Sequence, residues 1–297
     1  MQTKRQIAQL LAAAGVSPNR RLGQHFLVDL NLMRLLLDSA QPGPGDVVLE
    51  VGCGTGSLTE ALAERAGAVV AVEIDRTLAS IVASRLADRD NVELVTGDVL
   101  SSKGALNPAV VEAVARARAG KAGRLLLVAN LPYDVACPVI VHLVKGPLVA
   151  DAMFVTVQKE VAERMTAAPG GRHYGSVSIL LGATGSAHTL RTLGPGVFWP
   201  PPRVDSALVA FTRDETKCRR IGDVGLLSDV VAFFIGHRRK MLRACVKSIP
   251  PERGDRQRWM AIFERCGIDP TQRPAELAPG QYVVLANLCG GADSEKA

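Results

Sequence analysis

The chain has 297 residues, 47% of them hydrophobic and 22% charged, which is apolar material enough for one large folded unit and one small one. No apolar run approaches the roughly 18 residues of a membrane-spanning helix, and residues 1–15 lack the apolar stretch and cleavage site of a secretory leader, so a cytoplasmic protein is expected. The net charge of +6 sits in the flanks: five Lys/Arg against two Asp/Glu over residues 1–45, sixteen against twelve over 203–297, and fourteen against fifteen between them. That distribution suits either the steering of a polyanion towards a central site or plain solubility. Six scattered cysteines, with no C-x-x-C pair and no His cluster, read as free thiols, and no metal site is expected.

Thr3 to Ala14 reads as a helix, because Thr3 and Gln6 have capping-box spacing, Ile7, Leu10, Leu11 and Ala14 share a face, and Gly15 and Pro18 stop it. The basic segment Arg20-Arg21-Leu22-Gly23-Gln24-His25-Phe26-Leu27 follows, so that residues 1–28 form an appended arm before an amphipathic helix over Asn31 to Ala40. Taken alone, His25 is either a loop residue or a ligand contact.

Val47 to Val51 reads as a buried strand that runs into Gly52-Cys53-Gly54-Thr55-Gly56 and a helix from Ser57 to about Arg65. Such a unit brings bare backbone N–H groups up to a ligand. No Gly-Lys-Ser/Thr ends the loop, so it suits a dinucleotide or S-adenosylmethionine, or is a tight turn that binds nothing. The next strand, Ala68 to Val72, ends in Glu73, about 20 residues beyond the loop, where a carboxylate accepts from both ribose hydroxyls. A third strand, Asn91 to Val95, leads to Asp98, which either accepts from the exocyclic amine of an adenine or caps the next helix. Asp75 and Asp90 read as cap or turn residues.

Val110 to Ala119 is helical, and Arg124 to Ala129 is a continuous apolar run of the kind that forms a parallel strand covered on both faces. Asn130-Leu131-Pro132-Tyr133 then lies at a strand's carboxyl end, where ligand crevices of open α/β sheets are found. It offers two acceptors, the Asn130 side-chain oxygen and the Leu131 carbonyl, which Pro132 has no N–H to use. Tyr133 adds a flat face for a planar ring. Adenine N6 is a poor nucleophile because its lone pair is delocalised into the ring. Two acceptors aimed at its hydrogens help it pyramidalise and point the lone pair at a sulfonium methyl.

Val135 to Val144 reads as a helix, Ala152 to Val157 as a fifth strand, and Gln158-Lys159-Glu160 as the start of a helix towards Met165. A glycine-rich loop carries Arg172, His173 and Tyr174. Val177 to Ala183 and Ala207 to Thr212 read as a closing pair of strands around Val197 to Arg203, whose prolines hold Phe198 and Arg203 in fixed places. The seven strands with intervening helices describe a Rossmann-like α/β nucleoside-binding sheet. Beyond Arg213 the strand pattern stops, and Val224 to Val246, Asp255 to Cys266 and Gly280 to Leu288 read as helices. The expected domains are therefore 1–213, with the ligand site, and a small all-α domain over 214–297. In the latter His237 to Arg243 is the densest basic cluster, either a phosphate contact or a solvated helix face. Gly290 to Ala297 reads as a polar, disordered tail.

The series Arg21 to Leu27, Val72 to Asp75, Asn130 to Tyr133, Gln158 to Ala162, Tyr174-Gly175, Phe198 to Ser206, Arg238 to Lys240 and Gly267 to Pro274 resembles the ribosomal RNA adenine-N6 dimethyltransferase family, in its small-subunit (16S) branch. The resemblance runs through nearly the whole chain. It implies a class I S-adenosylmethionine-dependent methyltransferase sheet with a small C-terminal helical RNA-binding domain. It further implies the cofactor held by His25, Leu27, Gly52, Gly54, Glu73, Asp98, Val99 and Asn130, a catalytic corner of Asn130, Leu131, Pro132 and Tyr133, and the target adenine stacked between Tyr133 and Phe198. RNA contacts are expected from Arg172, Arg203, Arg238, Arg239 and Lys240. The implied reaction is dimethylation of two adjacent adenines in the 3′-terminal hairpin loop of small-subunit ribosomal RNA during late 30S assembly, by a monomer. The alternatives are a non-catalytic assembly or transcription factor on the same fold, which is a different class, and a methyltransferase of large-subunit RNA, which keeps the chemistry but changes the substrate. Two departures stand out: His25 where many members have Asn, and Cys53 where proline usually follows the first glycine. Neither removes a needed acceptor, and activity is expected to survive both.

Overall fold

The computed structural model describes residues 1–19, 22–102, 104–250 and 254–291. Arg20 and Arg21 of the basic segment and the expected tail beyond Gly291 lie outside the described residues. Seven strands share one sheet: β1 (Val47–Val51), β2 (Ala68–Glu73), β3 (Val92–Thr96), β4 (Leu125–Asn130), β5 (Ala152–Gln158), β6 (Gly185–Leu193) and β7 (Ser206–Arg213), in the order 3-2-1-4-5-7-6. The first five pair in parallel, and β7 runs antiparallel to β5. Every residue of β1 and β2 is buried, which is why, Glu50 and Glu73 apart, these strands are apolar without alternation. Strand order reverses between β1 and β4, and that switch point opens a crevice at their carboxyl ends.

Helices α1 (Lys4–Ala13), α2 (Leu30–Ala40), α3 (Ser57–Ala63), α4 (Arg76–Arg85), α5 (Pro108–Arg118) and α6 (Ala136–Lys145) belong to the same region. Their starts follow capping chemistry. Thr3 and Gln6 close a capping box on α1, Asp75 accepts from the N–H groups of Thr77 and Leu78 at the start of α4, and Asn107 caps α5. A separate two-residue ladder pairs Phe26 with Trp199 and Leu27 with Phe198. Side chains alternate across such a ladder, so Leu27 and Phe198 enter the main core beside Leu36 and Leu208, while Phe26 and Trp199 pack with Ile7, Leu11 and Leu78.

The chain forms two compact units, Met1–Ala162 with His188–Thr212, and Glu163–Ala187 with the chain from Arg213 onward. The second unit thus begins earlier than the expected boundary after residue 213 and takes in an excursion of the chain. After α7 (Lys159–Met165) the segment expected as a strand, Val177 to Ala183, is instead the helix α8 (Ser176–Thr184). It is almost wholly apolar, and a run apolar all round is compatible with a buried helix as much as with a buried strand. The strand beside β7 is β6, further along the chain. In the second unit α9 (Glu215–Cys218), α10 (Val224–Gly236), α11 (Leu242–Cys245), α12 (Arg256–Arg265) and α13 (Pro279–Cys289) follow, with α8, α10 and α13 in mutual contact. Phe234 sits 5.3 Å from Trp259 and 6.1 Å from Phe263, ring centre to ring centre, in edge-on packing at the heart of this unit. The expected single helix Val224 to Val246 breaks after Gly236, so His237 to Lys240 lie in a turn and not on a helix face. The six cysteines are free thiols.

Candidate active site

A cavity of about 290 Å³ opens at the carboxyl ends of β1, β2 and β4, close to the lower bound of roughly 300 Å³ for small-ligand sites. All of the residues expected to hold the cofactor (His25, Leu27, Gly52, Gly54, Glu73, Asp98, Val99, Asn130) line it. So do Leu131, Pro132 and Tyr133. The parallel register explains the gathering: Val51 pairs with Val72 and Leu49 with Leu127, so the loops that follow β1, β2 and β4 emerge side by side.

The glycine loop needs its glycines for two reasons. Gly52 has φ +76° and Gly54 φ +61°, both in the left-handed region. A Cβ on Gly52 would also lie 2.8 Å from Cγ of Pro132, so the loop and the Asn-Leu-Pro-Tyr corner touch through bare backbone. The Gly54 N–H donates to Oε2 of Glu73 at 2.8 Å, and the Asp75 N–H donates to Oε1 at 2.9 Å. A carboxylate has about four acceptor positions, so Glu73 keeps acceptor capacity for a ribose diol. Burial raises its pKa, against the pull of these backbone donors. Asp98 is exposed at the cavity mouth, with Oδ1 accepting from Leu100 N–H at 2.9 Å; Asn107 and not Asp98 caps the next helix. These acceptors, with the glycine backbone between them, fit the nucleoside half of S-adenosylmethionine. Among the described residues no group of three or more His, Cys, Asp and Glu side chains is placed to hold a metal ion.

At the end of β4, Asn130 has its amide oriented from both sides. Nδ2 donates to the peptide oxygen of His25 at 2.8 Å, and the Thr156 hydroxyl donates to Oδ1 at 2.5 Å. A carbonyl only accepts, so the bond to His25 assigns the nitrogen end, and Oδ1 retains one lone pair. Thr156 is the residue paired with Asn130 on the neighbouring strand β5. Tyr133 is fixed at its far end by a 3.0 Å hydrogen bond between its hydroxyl and that of Ser206. Its ring stacks against the His25 imidazole, with centroids 5.6 Å apart and planes inclined at 30°.

Phe198 does not line the cavity: it is 3% exposed and packs in the core cluster that also holds Leu36 and Leu208. The aromatic ring that faces Tyr133 belongs to His25. Of the expected RNA contacts, Arg172, Arg203, Arg239 and Lys240 are exposed. Arg238 is half-buried, and its Nη2 donates to the peptide oxygens of Gly171 at 3.4 Å and Arg172 at 3.2 Å, tying the glycine-rich loop to the end of α10.

Two residues of the site escape the sequence reading. Thr156 is identified only by cross-strand register. Glu50 lines the cavity at the end of β1, is 2% exposed, and has an Oε2 without a hydrogen-bond partner. Burial, with the neighbouring Glu73 charge, pushes its pKa up to about 8. An acid inside the otherwise apolar run Val47 to Val51 was the available signal.

The profile of the ribosomal RNA adenine dimethylase family matches residues 15–289. A protein of Geobacillus thermodenitrificans named ribosomal RNA small subunit methyltransferase A is 35% identical over 280 residues, covering 94% of this chain and 93% of its own. One of the same name from Phenylobacterium zucineum is 36% identical over 290 residues, covering 97% and 93%. Among solved structures, a dimethyladenosine transferase from Plasmodium falciparum superposes with a TM-score of 0.71 at 23% identity, over 90% of this chain and 98% of its own. The 23S rRNA methyltransferase ErmE gives 0.60 at 21%, over 88% and 98%. At these identities the two structures speak for the fold, while the profile and the curated relatives span the cavity and the helical unit alike. The chain therefore belongs to the ribosomal RNA adenine dimethylase family, and it is a methyltransferase that dimethylates adenine in ribosomal RNA with S-adenosylmethionine as its cofactor.

Proposed function

We propose that this enzyme dimethylates N6 of two adjacent adenines in the 3′-terminal hairpin loop of small-subunit ribosomal RNA, late in 30S assembly, as a cytoplasmic monomer. The observation that supports this choice of RNA is sustained identity, over both units, to proteins named ribosomal RNA small subunit methyltransferase A. In this reading Glu73 accepts from the ribose hydroxyls of the cofactor, Asp98 and Val99 meet its adenine, and Gly52, Gly54, Leu27 and His25 close around the remainder. The bound cofactor supplies a methyl group on a sulfonium, open to in-line attack.

Oδ1 of Asn130 and the Leu131 carbonyl accept from the two N6 hydrogens of the target adenine, and Pro132 keeps the second carbonyl free of a competing donor. Tyr133 gives the base a surface to stack on. A loop adenine is drawn out of its stack at little cost, which suits a pocket at the end of a strand. Arg172, Arg203, Arg238, Arg239 and Lys240 contact phosphates. The test is mass spectrometry of small-subunit RNA after unmodified assembly-stage subunits are incubated with the protein and S-adenosylmethionine. Dimethyladenosine at two adjacent loop positions is expected. Its absence there, or its appearance in large-subunit RNA instead, overturns the proposal.

A further inference from the structure

Each methyl transfer to N6 leaves the nitrogen with one proton too many, and the cavity must dispose of it. The two acceptors that orient the amine cannot do this, because amide oxygens accept hydrogen bonds but are far too weakly basic to hold a proton. Glu73 is engaged by the backbone N–H groups of Gly54 and Asp75, and Asp98 by that of Leu100, while Glu50 is 2% exposed and, with burial raising its pKa to about 8, already holds a proton at neutral pH. Asp134, next to Tyr133, is exposed.

His25 differs from all of these. Its Nδ1 lies 2.7 Å from the peptide oxygen of Pro200. A carbonyl oxygen carries no proton, so Nδ1 must carry it, and neutral imidazole then leaves Nε2 as a bare lone pair. Among the described residues nothing is hydrogen-bonded to that Nε2. The ring lines the same cavity as Asn130 and Leu131, stacks on Tyr133, and belongs to the residue whose peptide oxygen holds the Asn130 amide. Gln24, just before it, donates to Asp75 at 2.9 Å and steadies the arm on the other side.

We infer that His25 is a catalytic residue, whose Nε2 takes the proton that N6 releases in each methyl transfer. The inference rests on the adenine-N6 reading of the site. N6 forms a bond to the methyl carbon as the carbon–sulfur bond breaks, and that bond's electron pair stays on sulfur. An N6–H bond then breaks, its pair remaining on nitrogen, and the proton passes to Nε2. The resulting imidazolium donates through Nδ1 to Pro200 as before and returns its new proton to water. The second methylation consumes the last N6 hydrogen by the same route, which explains why the acceptor must be regenerated and not used once.

Three measurements test this. Nitrogen NMR of the imidazoles in the wild-type protein, free and with S-adenosylmethionine, is expected to show His25 with its proton on Nδ1; a proton on Nε2 overturns the assignment without any assay of activity. Single-turnover methylation at saturating S-adenosylmethionine by His25→Gln, which keeps the size but not the basicity, is expected to slow about 10²-fold or more, as for loss of a general base, well beyond any loss in the calorimetric Kd that follows from the ring's place beside the cofactor. An unchanged rate, an equal loss of rate and cofactor affinity, or a loss confined to Asp134→Asn overturns it. His25→Gly is expected to be rescued by added imidazoles, with a rate that rises with their basicity; rescue indifferent to basicity assigns the ring to packing. Should wild type methylate no ribosomal RNA, the functional proposal falls, and the tautomer still decides the state of His25.

Discussion

The hydroxyl of Thr156 donates to Oδ1 of Asn130 across the β4–β5 pair, while the opposite end of the same amide donates to the peptide oxygen of His25. The amide is therefore held in one of its two flips, with Oδ1 towards Thr156 and Nδ2 towards His25. Thr156→Val keeps the shape of the side chain and removes the donor. Loss of one neutral hydrogen bond costs about 1 kcal/mol of stability, so the protein still folds. We expect the methyl-transfer rate to fall about tenfold or more with cofactor affinity unchanged, as read by single-turnover kinetics beside calorimetry.

Glu50 makes stability depend on pH in a direction opposite to that of a salt-bridged acid. Its folded-state pKa is raised to about 8, so between the ordinary carboxylate range and that value the folded protein holds a proton that the unfolded chain has lost. Stability contributed by this group is complete at low pH and is lost as pH rises through the window, at most about 1.4 kcal/mol per pH unit. Glu50→Gln imitates the protonated acid. Urea unfolding from about pH 5 to about pH 9 is expected to show a downward slope in the wild type that the variant lacks, with the variant the more stable at the alkaline end.

Phe198→Ala separates a core residue from a base-stacking one. The side chain is buried among Leu27, Leu36 and Leu208, and its truncation should cost about 3–5 kcal/mol by denaturant unfolding. A base-stacking role would instead leave stability near wild type and weaken RNA binding alone.

The basic turn after α10 divides by function. Arg239 and Lys240 are exposed, and changing both to Ala should leave stability within about 0.5 kcal/mol while flattening the salt dependence of RNA affinity, by about one unit of log–log slope for each phosphate that is no longer neutralised. Arg238→Ala should lower stability as well, because Arg238 anchors the loop at Gly171 and Arg172. Binding titrations at several salt concentrations, beside thermal unfolding, distinguish the two.

The strand, glycine loop and acid of the cofactor half are legible in sequence because each is local: a buried run, glycines where φ is positive, and Glu73 and Asp98 at strand ends. The Asn130 corner is legible for the same reason. What escapes depends on partners remote in the chain. The Ser176–Thr184 run has no periodicity to separate strand from helix, and only its packing beside α10 and α13 makes it helical. The burial of Phe198 follows from packing with Leu36 and Leu208, and the role of Thr156 from register with Asn130. The tautomer of His25 depends on Pro200, 175 residues further along the chain.

The close approach of Gly52 to Pro132 ties the glycine loop to the Asn-Leu-Pro-Tyr corner mechanically. A Cβ added to Gly52 would lie 2.8 Å from the proline ring, so there is no room for one further carbon between the loop after β1 and the corner after β4. Their separation is set by this lack of room, as a spacer sets the gap between two jaws. Redesign for a donor with a bulkier transferable group has to shift the glycine loop and the proline together, since widening either side alone drives it into the other.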